Sequence, residues 1–546
     1  MTNENYPLYN PMKVCSVREM VVKSADTYDD KTAFRYQDDS GNYVEITFNE
    51  VKEHVMNLGT ALYNIGIQNK KIAILGENSY SWILAFFAIT SGNNIAIPID
   101  KELSVKAIET QLKDCECDVL IYSSTYLDTI DELKKDSLVN MKYISMDEIE
   151  ELLVTGKDAI SNGVREYLDY VVDIDAVAEI VYTSGTTGVS KGVMLSNYNM
   201  AYNTYGSCQT IAILGDTLLV LPLHHTYGLL GVFITLINGY CTNINRSIRR
   251  FSSDLITYKP DKLFLVPLFV ETLYKNIWRA AEGKGMTEGL KKLIEVSNEK
   301  LENGIDERRE LLAPLLASLG GNLDMIISGG APLSPKYIQG FREIGINLLN
   351  GYGITECSPV VSVNRNNYYR DGSVGQVLNR CEVDIRNKDG NGYGEIWVKG
   401  PIVMKGYYNR PEETALVMDD GWFNTGDIGY VDEDGFLFLT GRKKNLIILA
   451  NGENVAPEEL EELLSDISLI SEVIVSEKDN RIHAEILPNL ELVEKEDIKD
   501  VKKVIMEEIS KINRTLPSYK QIDEISLRDK EFAKTTTKKI KRGELK

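Results

Sequence analysis

Short apolar runs alternate with helix-like segments over about the first 440 residues, and this pattern constrains the fold more than any other feature. The runs KIAILG (71–76), NIAIPI (94–99) and DVLIYS (118–123) are typical of buried strands. The segments 79–90 and 104–114 between them have helical length. This spacing predicts an α/β fold with a mostly parallel sheet covered by helices on both faces. Further strands are predicted in AEIVYTS (178–184), DKLFLVP (261–267) and LDMIISGG (323–330).

The pattern changes after about residue 380. Asp-Gly turns separate short strands in NKDGNGYGEIWVKG and YVDEDGFLFLTGR, which is typical of β-hairpins. After Arg442 the sequence alternates between a helix that opens with Pro and acids, two paired strands and an amphipathic helix. We therefore predict a hinge at 441–445 that separates a large domain, 1–441, from a small α+β domain, 442–546.

Composition excludes several classes of protein. The 546 residues carry 60 Lys and Arg against 81 Asp and Glu, a net charge of −21. This charge disfavours a nucleic-acid binder and wholesale docking on anionic lipid, because both present negative charge. Seven cysteines, an odd number, argue against a disulfide framework and favour a reducing compartment. The N-terminal sequence lacks the pattern of a secretory signal, so we expect a cytoplasmic protein.

One uncharged run, 217–245, has enough residues to cross the hydrocarbon core of a membrane, which is roughly 30 Å thick. Pro222, the pair His224 and His225, and two glycines interrupt its middle. A buried strand (Leu218–Leu223), a turn and a buried helix (Leu229–Ile237) explain the run better than a membrane span does.

The loop YTSGTTGVSKG (182–192) is the strongest local signal for chemistry. It follows a predicted buried strand, and its glycines, hydroxyls and backbone N–H groups suit phosphate oxygens. Lys191 supplies a cation. The order of residues is not that of a Walker A loop, because Lys191 stands between Ser190 and Gly192.

With this loop, the sequence resembles the acyl-adenylate-forming enzymes, which include acyl-CoA synthetases, adenylation domains and luciferases. The resemblance covers nearly the whole chain and keeps the order of the motifs. It implies a large N-terminal domain of two αβ subdomains plus a β-barrel, followed by a small mobile C-terminal domain. The motifs are the loop above, LPLHHTYG (221–228), SGGAPLSP (328–335), NGYGITECSP (350–359), WFNTGDIGYVDEDGF (422–436), GRKKNLIILANGENVAPEELE (441–461) and KTTTKKIKR (534–542).

The resemblance implies a two-step reaction. A carboxylate is a poor acyl donor, so it first attacks the α-phosphate of ATP to form acyl-AMP and pyrophosphate, and a thiol then displaces AMP. Because the first step brings a carboxylate against a triphosphate, cations and oriented donors must offset the repulsion. The implied cofactors are ATP and Mg²⁺, with CoA as co-substrate.

The resemblance also implies roles for the phosphate-binding residues. Glu356 would hold Mg²⁺, a hard cation that prefers oxygen ligands, with Thr186 as a helper. Thr355 would contact the α-phosphate. The β- and γ-phosphates would lie against Thr183, Ser184, Gly185, Thr186, Thr187, Gly188 and Lys191.

A second group would bind the nucleoside. Asp427 would accept both ribose hydroxyls, and Arg442 would support the ribose or a phosphate. Tyr352 offers a stacking face for adenine, although a role in the core stays open for it. The adenine slot would be formed by Gly330, Ala331, Pro332, Asn350, Gly351 and Tyr352.

Three further residues complete the implied site. Lys539 would enter the active site during adenylation and bridge the carboxylate and the α-phosphate; Lys538 is the alternative register. Lys444 would be the hinge, after whose rotation a loop around 452–454 admits the thiol. His225 would lie near the substrate carboxylate, or else is a core histidine, and the apolar helix after it would line an acyl tunnel.

The segments 258–278 and 319–335 resemble the long-chain fatty acyl-CoA synthetases most. The leading hypothesis is an ATP-dependent fatty acyl-CoA ligase whose partners are fatty acid, ATP and CoA. The alternatives are loading of an acyl carrier protein, a medium-chain or aryl acid–CoA ligase, and a binding protein without turnover. A homodimer and peripheral contact with the inner face of the membrane are left open.

Overall fold

The computed structural model describes residues 7–38, 40–135, 141–183, 190–245, 247–449, 454–478 and 481–534, together with 540 and 542. The helices found in these ranges are all too short or too polar to cross a membrane. The uncharged run forms the strand Thr217–Leu219, the helix Thr226–Ile237 and the strand Thr242–Ile244. This helix of 12 residues is roughly 18 Å long, so the prediction of a buried strand, a turn and a buried helix is confirmed.

The first αβ unit is built on a seven-stranded sheet. Five adjacent strands run parallel, as the strand–helix spacing predicts, and two further strands are added at one edge through antiparallel pairing. In spatial order the strands are Gly406–Tyr407, Lys191–Ser196, Val177–Thr183, Ile95–Ile99, Lys71–Leu75, Val119–Tyr122 and Lys142–Ser145.

The second αβ unit is built on a nine-stranded sheet. Six neighbouring strands are parallel, and antiparallel strands flank them on both sides. In spatial order the strands are Gln376–Val377, Val360–Val363, Asn347–Gly353, Met325–Ser328, Lys262–Leu265, Thr217–Leu219, Thr242–Ile244, Thr32–Gln37 and Tyr43–Thr47.

The hairpins predicted after residue 380 form an antiparallel sheet, at the place where the resemblance implies a β-barrel. Its long central strand, Trp422–Val431, pairs on one side with Gly394–Lys399 and on the other with Leu437–Arg442. Glu382–Arg386 and Met418–Asp419 complete the five strands. A bridge between Gln376 and Phe436 joins this sheet to the nine-stranded one.

The C-terminal region has a separate apolar core, made only of residues beyond Asn445. A three-stranded sheet, Ile470–Lys478, Arg481–Pro488 and Glu524–Leu527, packs against the helices Pro457–Ser465 and Val501–Asn513. The short pair Ile447–Ile448 and Asn454–Val455 precedes it. The predicted hinge lies at a 3₁₀ turn, Lys443–Asn445, directly after the strand that ends at Arg442.

Helices cover the two large sheets, and their apolar faces form the main core. Trp82, Phe86 and Phe87 of one entirely buried helix are almost inaccessible to solvent. The α-helices are Val17–Tyr28, Phe48–Asn64, Tyr80–Thr90, Val105–Asp114, Leu127–Lys135, Ile149–Ser161, Asn197–Thr210, Thr226–Ile237, Phe251–Tyr258, Pro267–Gly283, Thr287–Glu302, Arg308–Leu311, Ala313–Ala317, Pro335–Glu343, Pro411–Val417, Pro457–Ser465, Leu490–Lys495 and Val501–Asn513.

Candidate active site

A cavity of about 70 Å³ opens at the carboxyl ends of two parallel strands of the nine-stranded sheet. Gly330, Gly351 and Tyr352 line it, together with Tyr227 and Ser328. Gly330 has φ +88°, a conformation that favours glycine, and it turns the chain at the cavity rim. Parallel α/β sheets bind their ligands at this edge, so the predicted adenine residues occupy a suitable place.

Two polar atoms beside this cavity lack hydrogen-bond partners among the described residues. They are Asn350 Oδ1 and Ser328 Oγ, and both side chains are buried. Asn350 and Ser328 are register neighbours on adjacent strands. A buried unpaired polar atom is costly, so these atoms are suited to a ligand that brings its own hydrogen-bonding groups. Ala331, half-buried, and Pro332, exposed, follow Gly330 out of the cavity rim.

Asp427 connects the cavity to the antiparallel sheet. The Tyr352 hydroxyl donates to Asp427 Oδ2 at 2.5 Å, and Arg442 Nε lies 2.8 Å from Oδ1. Asp427 and Arg442 are directly opposed on neighbouring strands, which sets this pairing. The Asp427 carboxylate is only 5% exposed. Burial and the facing Asp427 raise the pKa of Tyr352, so the phenol keeps the proton that it donates.

Glu356 lies on a 3₁₀ turn, Thr355–Cys357, that follows the same strand as Tyr352. Its side chain is buried, and its Oε1 accepts a hydrogen bond from the Tyr407 hydroxyl at 2.9 Å. Burial raises the pKa of the Glu356 carboxyl. A buried carboxylate that lacks a full counter-charge is a good ligand for a divalent cation, so the donor chemistry fits Mg²⁺. Thr355 is half-buried on the same turn.

Tyr407 lies between Lys191 and Glu356 and contacts both. The Lys191 ammonium lies 5.1 Å from the centre of the Tyr407 ring, whose hydroxyl bonds Glu356. It also forms an ion pair with Glu413. Thr183 opposes Lys191 across the strand pair, and Ser190 Oγ donates to the Thr183 carbonyl at 2.9 Å. The rest of the predicted phosphate loop, Ser184, Gly185, Thr186, Thr187 and Gly188, lies outside the described residues.

His225 stands at the start of the apolar helix Thr226–Ile237 and is half-buried. Its ring centre lies 4.3 Å from that of His224. Burial lowers the pKa of His224 well below its usual range, and His224 Nε2 lies 3.4 Å from Asp100 Oδ1. His225 therefore lies beside a buried, neutral imidazole, that of His224. Its role near the substrate carboxylate stays a prediction.

The apolar helix lines a cavity of about 10 Å³, between Gly228 and Gly231 of the helix and Leu218 and Phe264 of the sheet. Small-molecule pockets usually measure ~300 Å³ or more, so this cavity is far smaller than an acyl tunnel would be. Glycine at 228 is required, because a Cβ there would lie 2.3 Å from the Pro222 carbonyl oxygen. The acyl tunnel stays a prediction.

Of the two lysines predicted to act in the small domain, the structure describes Lys444 but not Lys539. Lys444 lies on the 3₁₀ turn at the hinge, and partial burial together with Arg442 lowers its pKa. Its neighbour Lys443 bonds Glu395 Oε1 at 2.7 Å. Lys539, and with it Lys538, lies outside the described residues. Arg542, three residues further on, bonds the Val475 carbonyl at 3.1 Å.

Sequence reasoning missed Tyr407 and Glu413. Both lie in GYYNRPEET (406–414), a segment between two recognised motifs that carries no obvious chemistry. The strand Gly406–Tyr407 pairs with the strand that starts at Lys191, and only this pairing brings the two side chains to the site. Glu413 is a charged residue and so a candidate partner for a cation, but nothing nearby in the sequence links it to Lys191.

Comparison with known proteins agrees with this geometry. The family model of the AMP-binding enzymes matches residues 21–408, and the model of the C-terminal domain of AMP-binding enzymes matches residues 444–546. The long-chain-fatty-acid–CoA ligase FadD15 of Mycobacterium bovis is 28% identical over 80% of this chain and 76% of the relative. The chloroplastic long-chain-fatty-acid–[acyl-carrier-protein] ligase AEE15 of Arabidopsis thaliana is 29% identical over 88% and 77%.

A solved structure shows the same fold. The o-succinylbenzoate CoA synthetase of Bacillus subtilis, in complex with its acyl-adenylate intermediate, superposes with a TM-score of 0.74. The match covers 97% of this chain and 98% of that protein at 23% identity. The family models match residues in both parts of the chain. The structure places Lys191, the buried Glu356 carboxylate and the Asp427–Arg442 pair on or directly after strands of three different sheets. The chain therefore belongs to the AMP-binding enzyme family and is an AMP-forming acid–thiol ligase.

Proposed function

We propose that this enzyme activates a long-chain fatty acid with ATP to give acyl-AMP and pyrophosphate, and then transfers the acyl group to CoA. The observation that carries the proposal is the cluster in which Tyr407 joins the buried Glu356 carboxylate to Lys191. A buried anion and a cation around one phenol suit a metal-bound triphosphate. The Asp427–Arg442 pair supports a nucleoside at the neighbouring cavity.

The first step needs charge neutralisation and alignment. Lys191 holds the β- and γ-phosphates together with the loop from Thr183 to Gly188, and Thr355 orients the α-phosphate. Glu356, with the help of Thr186, would hold Mg²⁺, which would offset the negative charge of the phosphate oxygens. These contacts leave pyrophosphate as a stabilised leaving group when the substrate carboxylate attacks phosphorus.

The nucleoside part of ATP is held by hydrogen bonds and shape. Asp427 accepts both ribose hydroxyls, and Arg442 keeps that carboxylate oriented. Adenine enters the slot formed by Gly330, Ala331, Pro332, Asn350, Gly351 and Tyr352. Asn350 Oδ1, which lacks a partner among the described residues, is ready to accept a hydrogen bond from the purine amino group.

The small domain, 442–546, acts as a lid in two positions, with Lys444 as its hinge. In the first position Lys539 bridges the carboxylate and the α-phosphate while charge builds between them. In the second position the domain admits the thiol of CoA. Separate apolar cores in the two parts of the chain support such a rigid-body rotation, because little packing is lost in it.

Relatives support the choice of substrate. FadD15 is named as a long-chain-fatty-acid–CoA ligase, which favours a long-chain acid and CoA. The name of AEE15 favours an acyl carrier protein as the acceptor, and the o-succinylbenzoate synthetase favours an aryl acid. His225 and the apolar helix after it would line the path of the acyl chain. A cytoplasmic location, a homodimer and peripheral membrane contact stay predictions.

A substrate panel tests the proposal. Fatty acids of graded length and aryl acids are incubated with ATP and Mg²⁺, first with CoA and then with a holo acyl carrier protein, and AMP and thioester are measured. We expect AMP release with the long-chain acids and a CoA thioester. Acylation of the carrier but not of CoA would overturn the acceptor, and turnover of aryl acids alone would overturn the substrate class. Absence of ATP–pyrophosphate exchange with every acid would favour a binding protein.

A further inference from the structure

Lys191, the cation expected to bind the triphosphate, is already paired with a carboxylate in this structure. Lys191 forms an ion pair with Glu413, and its side chain is only 17% exposed. Glu413 lies in the first turn of the helix Pro411–Val417, and its side chain is 35% exposed. Because both groups are partly shielded from water, their attraction is stronger than that of an ordinary surface pair.

Glu413 has a second cation within reach. Arg410 Nε lies 3.7 Å from Glu413 Oε1. The other side of the Arg410 guanidinium bonds Asp114 at 2.6 Å, and Asp114 in turn accepts a hydrogen bond from the Tyr182 hydroxyl at 2.8 Å. Arg410 is therefore held in place by groups that do not involve Lys191. Glu413 can leave Lys191 and remain paired.

ATP cannot bind Lys191 while this pair stays intact. The phosphates and the Glu413 carboxylate are both anionic, so they compete for the same ammonium group and repel each other. We propose that Glu413 is an exchangeable counter-ion for Lys191 that the β- and γ-phosphates displace towards Arg410. Glu413 thereby lowers the affinity for ATP and pyrophosphate and speeds the release of pyrophosphate. This proposal rests on the proposed function, because it assigns the triphosphate to Lys191.

The binding of ATP, pyrophosphate and AMP to Glu413→Gln tests the proposal directly. Glutamine keeps the shape of the side chain but removes its charge. We expect about 5- to 10-fold tighter binding of ATP and pyrophosphate, with the affinity for AMP unchanged because AMP lacks the β- and γ-phosphates. Glu412→Gln is the matched control. It makes the same change of charge on the same turn, at an exposed side chain, and we expect less than a twofold effect.

A double-mutant cycle with Lys191→Gln tests whether Glu413 affects ATP binding through Lys191 or only through its long-range negative charge. If Glu413 acts through Lys191, the gain from Glu413→Gln disappears in the Lys191→Gln background. The proposal is overturned if the gain persists there, if Glu412→Gln gives the same gain, or if Glu413→Gln weakens binding. Equal unfolding temperatures of the variants exclude a folding defect. If the wild-type protein binds neither ATP nor AMP, the proposed function is overturned as well. The wild type alone shows this outcome, so it is distinguishable from a failure of the Glu413 proposal.

Discussion

Burial affects three carboxylates of this protein in three ways. Asp427 has both oxygens paired, with Tyr352 and Arg442. Glu356 accepts one hydrogen bond from Tyr407, which leaves capacity for a cation. Glu179, on the strand Val177–Thr183, is fully buried, and its Oε1 has no partner among the described residues. A buried acid therefore marks a site only where other polar groups converge on it.

Glu179 gives a prediction for stability against pH. Burial raises the pKa of Glu179 to about 8, whereas an unfolded glutamate has a pKa of about 4.5. Between these values the unfolded chain releases a proton that the folded chain keeps, so stability falls as the pH rises, by up to roughly 5 kcal/mol. Glu179→Gln removes this slope. We expect its unfolding midpoint in urea to depend less on pH than that of the wild type between pH 5 and 8.

The control for this prediction is an exposed glutamate. Glu288→Gln removes a carboxyl group that is 87% exposed and pairs with Lys291 in the same helix. Its midpoints are expected to follow the wild-type curve. Parallel curves for the wild type and Glu179→Gln would show that Glu179 is not held neutral in the folded protein.

At the scale of elements, the helices Phe48–Asn64 and Ile149–Ser161 show how one glycine permits a close packing. A Cβ on Gly156 would lie 1.9 Å from the carbonyl oxygen of Asn57 on the other helix. Real side chains do not approach backbone oxygen that closely, so the two helices can be this near only with glycine at 156. The helix cannot relieve the clash by a rotamer change, because the obstacle is backbone.

Gly156→Ala is therefore expected to destabilise the protein, by ~1–3 kcal/mol through the forced separation of the two helices. Gly289→Ala is the matched control. Gly289 is also inside a helix, Thr287–Glu302, but a Cβ there meets nothing within 4 Å. Alanine at 289 should stabilise by ~0.5–1 kcal/mol, since it improves helix propensity. Thermal unfolding of both variants measures the difference, and equal effects would contradict the packing argument.

At the scale of the whole molecule, three sheets contribute to the candidate site. Lys191 comes from the seven-stranded sheet, Asn350 lies on a strand of the nine-stranded sheet that Glu356 follows, and Asp427 with Arg442 come from the antiparallel sheet. The small domain then adds its own contacts. Arg279 pairs with Glu491 at 3.2 Å, and Lys336 with Asp466 at 2.5 Å, both across the two parts of the chain.

These pairs hold the small domain in the position observed. Arg279→Glu breaks the pair with Glu491 and adds repulsion, whereas Arg279→Glu with Glu491→Arg restores the attraction. Exposed pairs contribute ~0.2–1 kcal/mol, so we expect cleavage by trypsin at the hinge lysines to rise only about two- to fivefold in the single variant. The double variant should return to the wild-type rate. Equal cleavage of the single and double variants would contradict the pairing.

The proposed two positions of the lid lead to a prediction about half-reactions. Lys539→Ala should strongly slow the formation of acyl-AMP, because the carboxylate and the α-phosphate lose their shared cation. It should largely spare thioester formation from acyl-AMP that is supplied ready-made. ATP–pyrophosphate exchange and the thioester assay measure the two steps separately. Lys538→Ala is the control for register and should change neither step much; equal losses of both steps in Lys539→Ala would count against alternation.

The order of elements and most of the candidate site could be predicted from the sequence. The runs at 71–76, 94–99 and 118–123 lie on strands, because continuous burial on both faces demands apolar residues at every position. Tyr352, Glu356, Asp427 and Arg442 were found because they stand in motifs with a resemblance to known enzymes. The boundaries of short elements were less certain: the strand predicted to reach Leu223 ends at Leu219.

Sequence by itself thus determined the αβ architecture and the types of residue that an adenylate-forming site needs, and the hinge stays a prediction. Only the tertiary structure decided which groups meet. The pairing of Gly406–Tyr407 with the strand of Lys191 brings Tyr407 to Glu356 and Glu413 to Lys191. These partners are more than two hundred residues from Lys191 along the chain. Local patterns cannot encode such contacts, because they depend on strand order and register, which are set by the packing of the whole core.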